Sequence, residues 1–564
     1  MSRLRRLFPL AFVTVTGAVV MALEILGTRV IGTVFGTSVF VWGALLTTTL
    51  VCLAVGYAVG GLLADRWPRD WLLYVLTLLA GAAAMTIPAW QGILEPCFQR
   101  FGPRAGALVA AFAIFTAPLT LLGLASPYVV RLLTRSVQGS GRTAGAVFAL
   151  STTGSVAGTL LTSFYLIPEL GTRWSLAAAA GALMLISAVG LLLAGGARTA
   201  PACALAALAW AIGRGGPPAG GEVLCRVESP YSRIAVVQPQ SPRAAGGGYR
   251  MLFANGILQT GMPLDVARRD RTSLLRTDSY YLELLPYFHD DPDEPRTCLV
   301  IGLAGGFFAR VMERYPVRVT AVEIDVKVAE LARAYFGYRG RIVYPDGRQH
   351  AVDLGRFPRR ELADAADDAA PHQAEDDPAE PYDGVVVIQD GRRFLQSSPH
   401  RYDFIVLDAY SGDTIPFHLI TREMFLAVRE HLRDDGVLAI NYIGAPAGDD
   451  VTDSLAATLA DVFGRDRIIA YRSTDDAEAV QVIYFFVFRG QARQPSLPPG
   501  RWFAAGEVDP LAYELHSRRL EFDFRRGVVI TDDHNPIDVA RVRTALSWRA
   551  QTLAQFRRLE LHRF

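Results

Sequence analysis

The chain has 564 residues, too many for one compact domain, so two to four are expected. Hydrophobic residues make up 51% of it, which points toward membrane spans, and a formal charge of +1 argues against a nucleic-acid binder with its basic surplus. The five cysteines (Cys52, Cys97, Cys203, Cys225, Cys298) form no CxxC pair and the nine histidines show no metal spacing, so neither a disulfide framework nor a zinc site is implied. Lys327 is the only lysine; the other basic residues are Arg and are matched by acids along the C-terminal half, the mark of a coding bias.

The start, MSRLRRLFPLAFVTVTGAVVMALEILGTRV, has a basic head and an apolar run longer than a signal-peptide core, and reads as a retained span. Further apolar stretches near 38–63, 71–92, 105–124, 143–167 and 174–195 bring the expectation to six spans. A seventh stretch, 201–213, is short enough to be interfacial or re-entrant. Small residues from Gly145 to Gly158 suit close helix packing in lipid. Basic residues in the head and after the second and fourth spans place the N-terminus and the chain after span six in the cytoplasm; a crossing at 201–213 would reverse the latter. Glu24, with Arg29 beyond it, is an ionisable group inside a span, read either as functional or as a structural pair.

Residues 214–222 are rich in Gly and Pro and form a linker after a membrane domain of residues 1–213. Beyond it the pattern turns to period two, and residues 223–285 read as a small β domain. From 296 to 545 strands alternate with helices: CLVIGLAGG, RVTAVEID, VVVIQDG, FIVLDAY, VLAINYIG, RIIAYR and QVIYFFVF are the strands of a mostly parallel, doubly wound, Rossmann-like sheet. An acidic stretch near 355–382 has too few large apolar residues for a core and reads as a disordered insert.

Ligands of such sheets bind beyond the carboxyl ends of the strands. Four strand ends carry suitable chemistry. Gly302, Gly305 and Gly306 make the first turn, where backbone must approach a ligand closely. Glu323 closes the next strand, where an acid pairs with ribose hydroxyls. Asp390 is placed to accept from an adenine amino group, and Asp408 faces the reacting centre. The turn is GLAGGF rather than GxGxxG, and Phe307 stands where a dinucleotide site needs a small residue. A nucleoside ligand of the S-adenosylmethionine type fits this pattern. Each acid read alone is equally a turn former or helix cap, and a loop histidine such as His418 is more often a packing or capping residue than a base.

The stretches ESPYSRIAVV, NGILQT, SYYLEL, VIGLAGGFFAR, VEIDVKVAELARAYF, QDGRRFL, YDFIVLDAYSGDTIPFHLIT and TDDHNPID resemble the spermidine synthases (polyamine aminopropyltransferases), in particular their membrane-fused branch, over about residues 223–545. The resemblance implies transfer of an aminopropyl group from decarboxylated S-adenosylmethionine, as co-substrate and with no prosthetic group, to a diamine such as putrescine. It puts the ribose-binding acid on Glu323, the adenine contact on Asp390, the catalytic Asp on Asp408, the donor-site Gln on Gln259 and the catalytic Tyr on Tyr281. The implied partners are polyamine and nucleoside substrates and a lipid bilayer; a homodimer is compatible with it. The implied location is the inner (plasma) membrane, multi-pass, with the soluble domain cytoplasmic.

The chain departs from the family pattern at three places. Position 305 is Gly where the family usually has an Asp for the donor's amine, Leu282 replaces the His after the tyrosine, and Ser411 replaces the second acid of the catalytic loop. Asp413, two residues on, and Asp532 or Asp533 could stand in for the missing acids on the acceptor side. The alternatives are an AdoMet-dependent methyltransferase and a non-catalytic polyamine sensor or transporter.

Overall fold

The computed structural model describes residues 3–35, 39–134, 137–194, 221–239, 249–264, 281–313, 315–344, 384–410, 415–446, 449–496, 515–534, 547–548 and 551. The chain divides into two compact units, Met1–Pro217 with Glu228–Arg233, and Pro218–Val227 with Ile234–Phe564. The expectations about the stretch 201–213 and the acidic insert lie outside the described residues.

Among the described residues, five segments of the first unit are helical, long and apolar enough to cross a membrane: Leu7–Phe35, Phe40–Arg66, Asp70–Gly102, Arg104–Leu133 and Ser140–Leu193. The count differs from six because the last two expected spans run on as one segment. That segment has 54 residues, more than twice the roughly 20 that one crossing takes. It bends at Gly171, whose φ of 74° and ψ of 169° leave the helical region. Its first arm, Ser140–Leu161, packs mainly along Arg3–Phe35, and its second, Ile167–Leu193, along Asp70–Thr86 and also along Arg3–Phe35.

The small residues in the first arm do what close packing requires. A Cβ on Gly154 would lie 1.9 Å from the Thr14 carbonyl oxygen, and one on Gly158 2.4 Å from that of Ala18. Gly145, by contrast, faces open space. Glu24 is buried in the bundle. Arg29 donates to the carbonyl of Pro230 at 2.7 Å, a residue of the same unit.

The second unit holds two sheets. The smaller is antiparallel, in the order β1 (Gly221–Glu228), β2 (Arg233–Pro239), β3 (Tyr249–Ala254) and β4 (Ile257–Pro263). Asn255 and Gly256, both at positive φ, make the two-residue turn from β3 to β4. The larger sheet is built from β5 (Arg296–Ile301), β6 (Val317–Glu323), β7 (Arg341–Val343), β8 (Val385–Ile388), β9 (Tyr402–Leu407), β10 (Leu432–Gly444), β11 (Ile468–Arg472) and β12 (Gln481–Phe488). Their spatial order is β11-β12-β10-β9-β5-β6-β8-β7, parallel throughout except that β12 runs against β10 and β11.

Both faces of this sheet are covered, which is why its strands read as unbroken apolar runs. Cys298, Val300, Phe404 and Val406 point into one core, and Leu299, Ile301, Ile405 and Leu407 into the other. The 3-10 segment Tyr281–Phe288 adds its buried side chains to the first core. Chain order reverses between β5 and β9, so the crevice at their carboxyl ends is the switch point of the fold.

Candidate active site at the switch point

β5 and β9 lie side by side with Ile301 opposite Leu407, so Gly302 and Asp408 leave the sheet together. Asp408 N donates to Ile301 O at 2.9 Å and Gly302 N to Val322 O at 2.8 Å, tying three strand ends into one surface. Gly302 has φ 99°, and a Cβ on it would sit 2.3 Å from the Asp408 carbonyl oxygen. Both the backbone conformation and the approach of Asp408 therefore require glycine here.

Asp408 is held from the other side by Asn441. This residue follows Ile440 of β10, which is paired with Leu407, and its Nδ2 donates to Asp408 Oδ1 at 2.9 Å. An ionised carboxylate only accepts, which fixes the orientation of the amide. Asn441 Oδ1 is buried and has no hydrogen-bond partner among the described residues. Tyr410 reaches the same strand through its hydroxyl, which donates to Asn441 O at 2.7 Å. The sequence pattern did not single out Asn441. One polar residue inside the apolar run VLAINYIG was the available signal.

Glu323 ends β6 beside the glycine turn. Its Oε2 accepts from Leu303 N and its Oε1 from Asp325 N, each at 3.0 Å. Burial pushes its carboxyl above the usual range, against the pull of these backbone donors. The Ile324 backbone N–H is a third donor to this carboxylate, which leaves an acceptor site for an external hydroxyl.

Asp390 follows β8 and caps the helix Gly391–Ser397, its Oδ1 accepting from Arg393 N at 3.0 Å. The alternative reading of a strand-end Asp as a helix cap thus applies to it. Its Oδ2 is 2.8 Å from His418 Nε2, so His418 stands on Asp390 rather than on Asp408. The His418 bond is the main influence holding the Asp390 carboxyl below its usual range.

β4 overlies the glycine turn. A Cβ on Gly305 would lie 2.4 Å from the Thr260 methyl, next to Gln259, whose amide is 3.5 Å from Ile257 O. The Asp that the family usually carries at position 305 has no room here, because Thr260 fills the space. Gly306, at φ 73°, starts the helix Phe307–Met312.

Two of the remaining candidates meet this group through neighbours: Tyr484, against which Tyr281 packs, is paired with Asn441, and Arg392 bonds both His418 O and Asp532. Tyr281 is buried against Tyr471 and Tyr484, of β11 and β12, and its hydroxyl accepts from Arg518 Nη1 at 3.1 Å. Asp533 is exposed in the turn closed by Thr531 N donating to His534 O at 3.1 Å. Asp532 is engaged by Arg392 at 2.7 and 2.5 Å. Asp413 lies outside the described residues. No group of three metal-ligating side chains occurs among the described residues.

No family model matches the chain. Among curated proteins, the probable polyamine aminopropyl transferase of Bifidobacterium longum is 30% identical over 175 residues, 30% of this chain and 30% of that protein. That alignment therefore spans less than a third of the relative's length. The polyamine aminopropyltransferase of Corynebacterium efficiens is 27% identical over 468 residues, 76% of each chain. This share exceeds what the residues after the linker amount to, so the match extends into the helical half. Among solved structures, the spermidine synthase from Thermotoga maritima matches 53% of this chain and 84% of its own at 18% identity, with a TM-score of 0.35; at that score it adds nothing to the sequence matches.

Proposed function

We propose that this chain, a member of the spermidine synthase family, is a membrane-bound aminopropyltransferase that moves an aminopropyl group from decarboxylated S-adenosylmethionine to a diamine such as putrescine. The observation that carries the reading is the placement of Asp408. It stands at the switch point, bonded to the end of β5, oriented by Asn441 and separated from Glu323 by the single strand β5.

In this reading the ribose hydroxyls take the open lone pairs of Glu323, and the exocyclic amine of the base takes those of Asp390. Gly302 lets the turn run close to Asp408, Gly305 makes room for Thr260 of β4, and Gln259 lies beside the donor. The sulfonium then faces Asp408. The acceptor arrives as an ammonium and must lose a proton before it can attack; Asp408 takes that proton. The nitrogen lone pair forms the new C–N bond as the C–S bond breaks, and its electron pair stays on sulfur as methylthioadenosine. A neutral thioether leaves without help from a general acid. The proton on Asp408 passes to solvent after transfer.

Asn441 Oδ1, a buried acceptor beside Asp408, suits the incoming ammonium. Tyr281 shapes the site: its oxygen accepts from Arg518, and its ring fixes the wall formed with Tyr471 and Tyr484. Asp413 and Asp533 are assigned to the far ammonium of the diamine. The basic loops support an inner-membrane protein whose soluble half is cytoplasmic; a reporter fused after Phe564 that is active only outside the cytoplasm would contradict this.

One observation favours a second reading. With Thr260 filling the space at Gly305, the acid that recognises a decarboxylated donor's amine is absent, and AdoMet itself becomes a candidate donor for methyl transfer. Calorimetry on the full chain in detergent separates the two. The first reading expects decarboxylated AdoMet and methylthioadenosine to bind and a diamine to be consumed with the former. Tight binding of AdoMet with no turnover of the decarboxylated form would favour the second.

A further inference from the structure

This inference rests on the reading of Asp390 as the carboxylate that recognises the base. His418 joins it from a separate segment, the 3-10 turn Phe417–Leu419, 28 residues further along the chain. Its position is fixed twice from the same strand tip. The ring is bonded to Asp390 Oδ2 at 2.8 Å, and the backbone carbonyl accepts from Arg392 Nη1 at 3.3 Å. Arg392 is itself locked by the two-pronged pair with Asp532.

An ionised Asp390 can only accept, so the proton of the shared bond sits on His418 Nε2. Oδ1 already receives Arg393 N. A carboxylate offers about four lone-pair sites, and the side chain of Asp390 is 29% exposed. With the Arg392 backbone N–H as a further donor, three internal donors orient the group and leave an acceptor site open to a donor from outside.

We propose that His418 is the positioning residue for base recognition: its Nε2–H holds the Asp390 carboxylate so that the open lone pairs meet the exocyclic amine of an aminopurine nucleoside. An oxopurine presents an oxygen at that place and is repelled by the same lone pairs. Without His418, Oδ2 is free to turn about the capping bond and to take up water, and the discrimination between amino and oxo bases fades.

The test is binding of methylthioadenosine and of its 6-oxo counterpart, methylthioinosine, to the full-length protein in detergent. Wild type should prefer the amino compound. His418→Ala should weaken methylthioadenosine by about tenfold, the loss expected for one hydrogen bond organising a charged acceptor, and leave methylthioinosine unchanged. His418→Gln, whose amide can still donate to Asp390, should restore most of the preference. Equal weakening of both nucleosides by His418→Ala would make the residue a mere packing element and overturn the proposal. So would a preference that survives His418→Ala, or a His418→Gln variant no better than the alanine one. Wild type that binds neither nucleoside would remove the nucleoside site and this role together.

Discussion

Asn441 donates its side-chain amide to Asp408 Oδ1 at 2.9 Å across neighbouring parallel strands, and its own oxygen remains buried and unbonded among the described residues. A buried polar atom left this way is unfavourable by about 1–3 kcal/mol, an outlay that makes sense if the substrate supplies the donor. Asn441→Ala should therefore lower kcat by about ten- to a hundredfold, the range for a hydrogen bond to a charged group, with methylthioadenosine affinity unchanged. Steady-state kinetics beside calorimetry reads this. A variant with full kcat would place Asn441 outside the reaction.

Gly302 is where the β5 loop meets Asp408. Gly302→Ala adds a Cβ 2.3 Å from a backbone oxygen at a φ of 99°, so backbone must move. Strain of this kind amounts to about 1–3 kcal/mol per residue, and the carboxylate whose backbone is displaced is Asp408. Thermal denaturation should show the lower stability, and any folded fraction should show reduced turnover. Unchanged melting and activity would contradict the tight approach.

The missing family acid can be tested by restoring it. Gly305→Asp alone should destabilise the protein, because the new Cβ meets the Thr260 methyl at 2.4 Å. Gly305→Asp with Thr260→Ser, which removes that methyl, should recover stability and bind decarboxylated AdoMet more tightly than wild type. If the single variant is as stable as wild type, Thr260 is not what excludes the acid.

The two acids proposed to hold the nucleoside should titrate apart. Burial raises Glu323, whereas His418 and the capping backbone lower Asp390. A carboxyl raised in the fold makes its ionised form a burden on stability at neutral pH, relieved as pH falls through the folded value. Ribose binding needs that same ionised form, so methylthioadenosine affinity should fall on acidification, beginning above the ordinary Glu value of about 4.3. Asp390 stays ionised through this window, and its contribution to stability, present above the ordinary Asp value of about 3.9, is lost only as pH falls through its lowered folded value. The acid limb of binding should therefore persist in Asp390→Asn and vanish in Glu323→Gln. The reverse pattern would exchange the roles of the two acids.

Much of this arrangement was legible in the residues because the physics behind it is local. Alternating strands and helices, apolar runs ending in Gly302, Glu323, Asp390 and Asp408, and small residues at Gly154 and Gly158 are one-dimensional patterns with direct structural meaning. What stayed hidden depends on register and on chain crossing. Asn441 reaches Asp408 only because β10 lies beside β9 with Ile440 opposite Leu407. His418 reaches Asp390 across 28 residues, and Thr260 reaches Gly305 from the other sheet. The spans show the same limit. Hydropathy marks a fifth and a sixth stretch, but not that they run on as one segment bent at Gly171.

Asp408 is proposed as the base, and Asp408→Asn tests that role most directly. The amide is nearly isosteric and its oxygen can still accept from Asn441, so the fold and the nucleoside site should survive. It cannot take a proton from an ammonium at neutral pH, and loss of a general base lowers rates by about two to four orders of magnitude. The measurement is aminopropyl transfer from decarboxylated AdoMet to putrescine by the full-length variant, alongside its affinity for methylthioadenosine. If Asp408 is the base, affinity stays at the wild-type level and transfer falls at least about a hundredfold; full activity, or loss of nucleoside binding along with activity, would contradict that role.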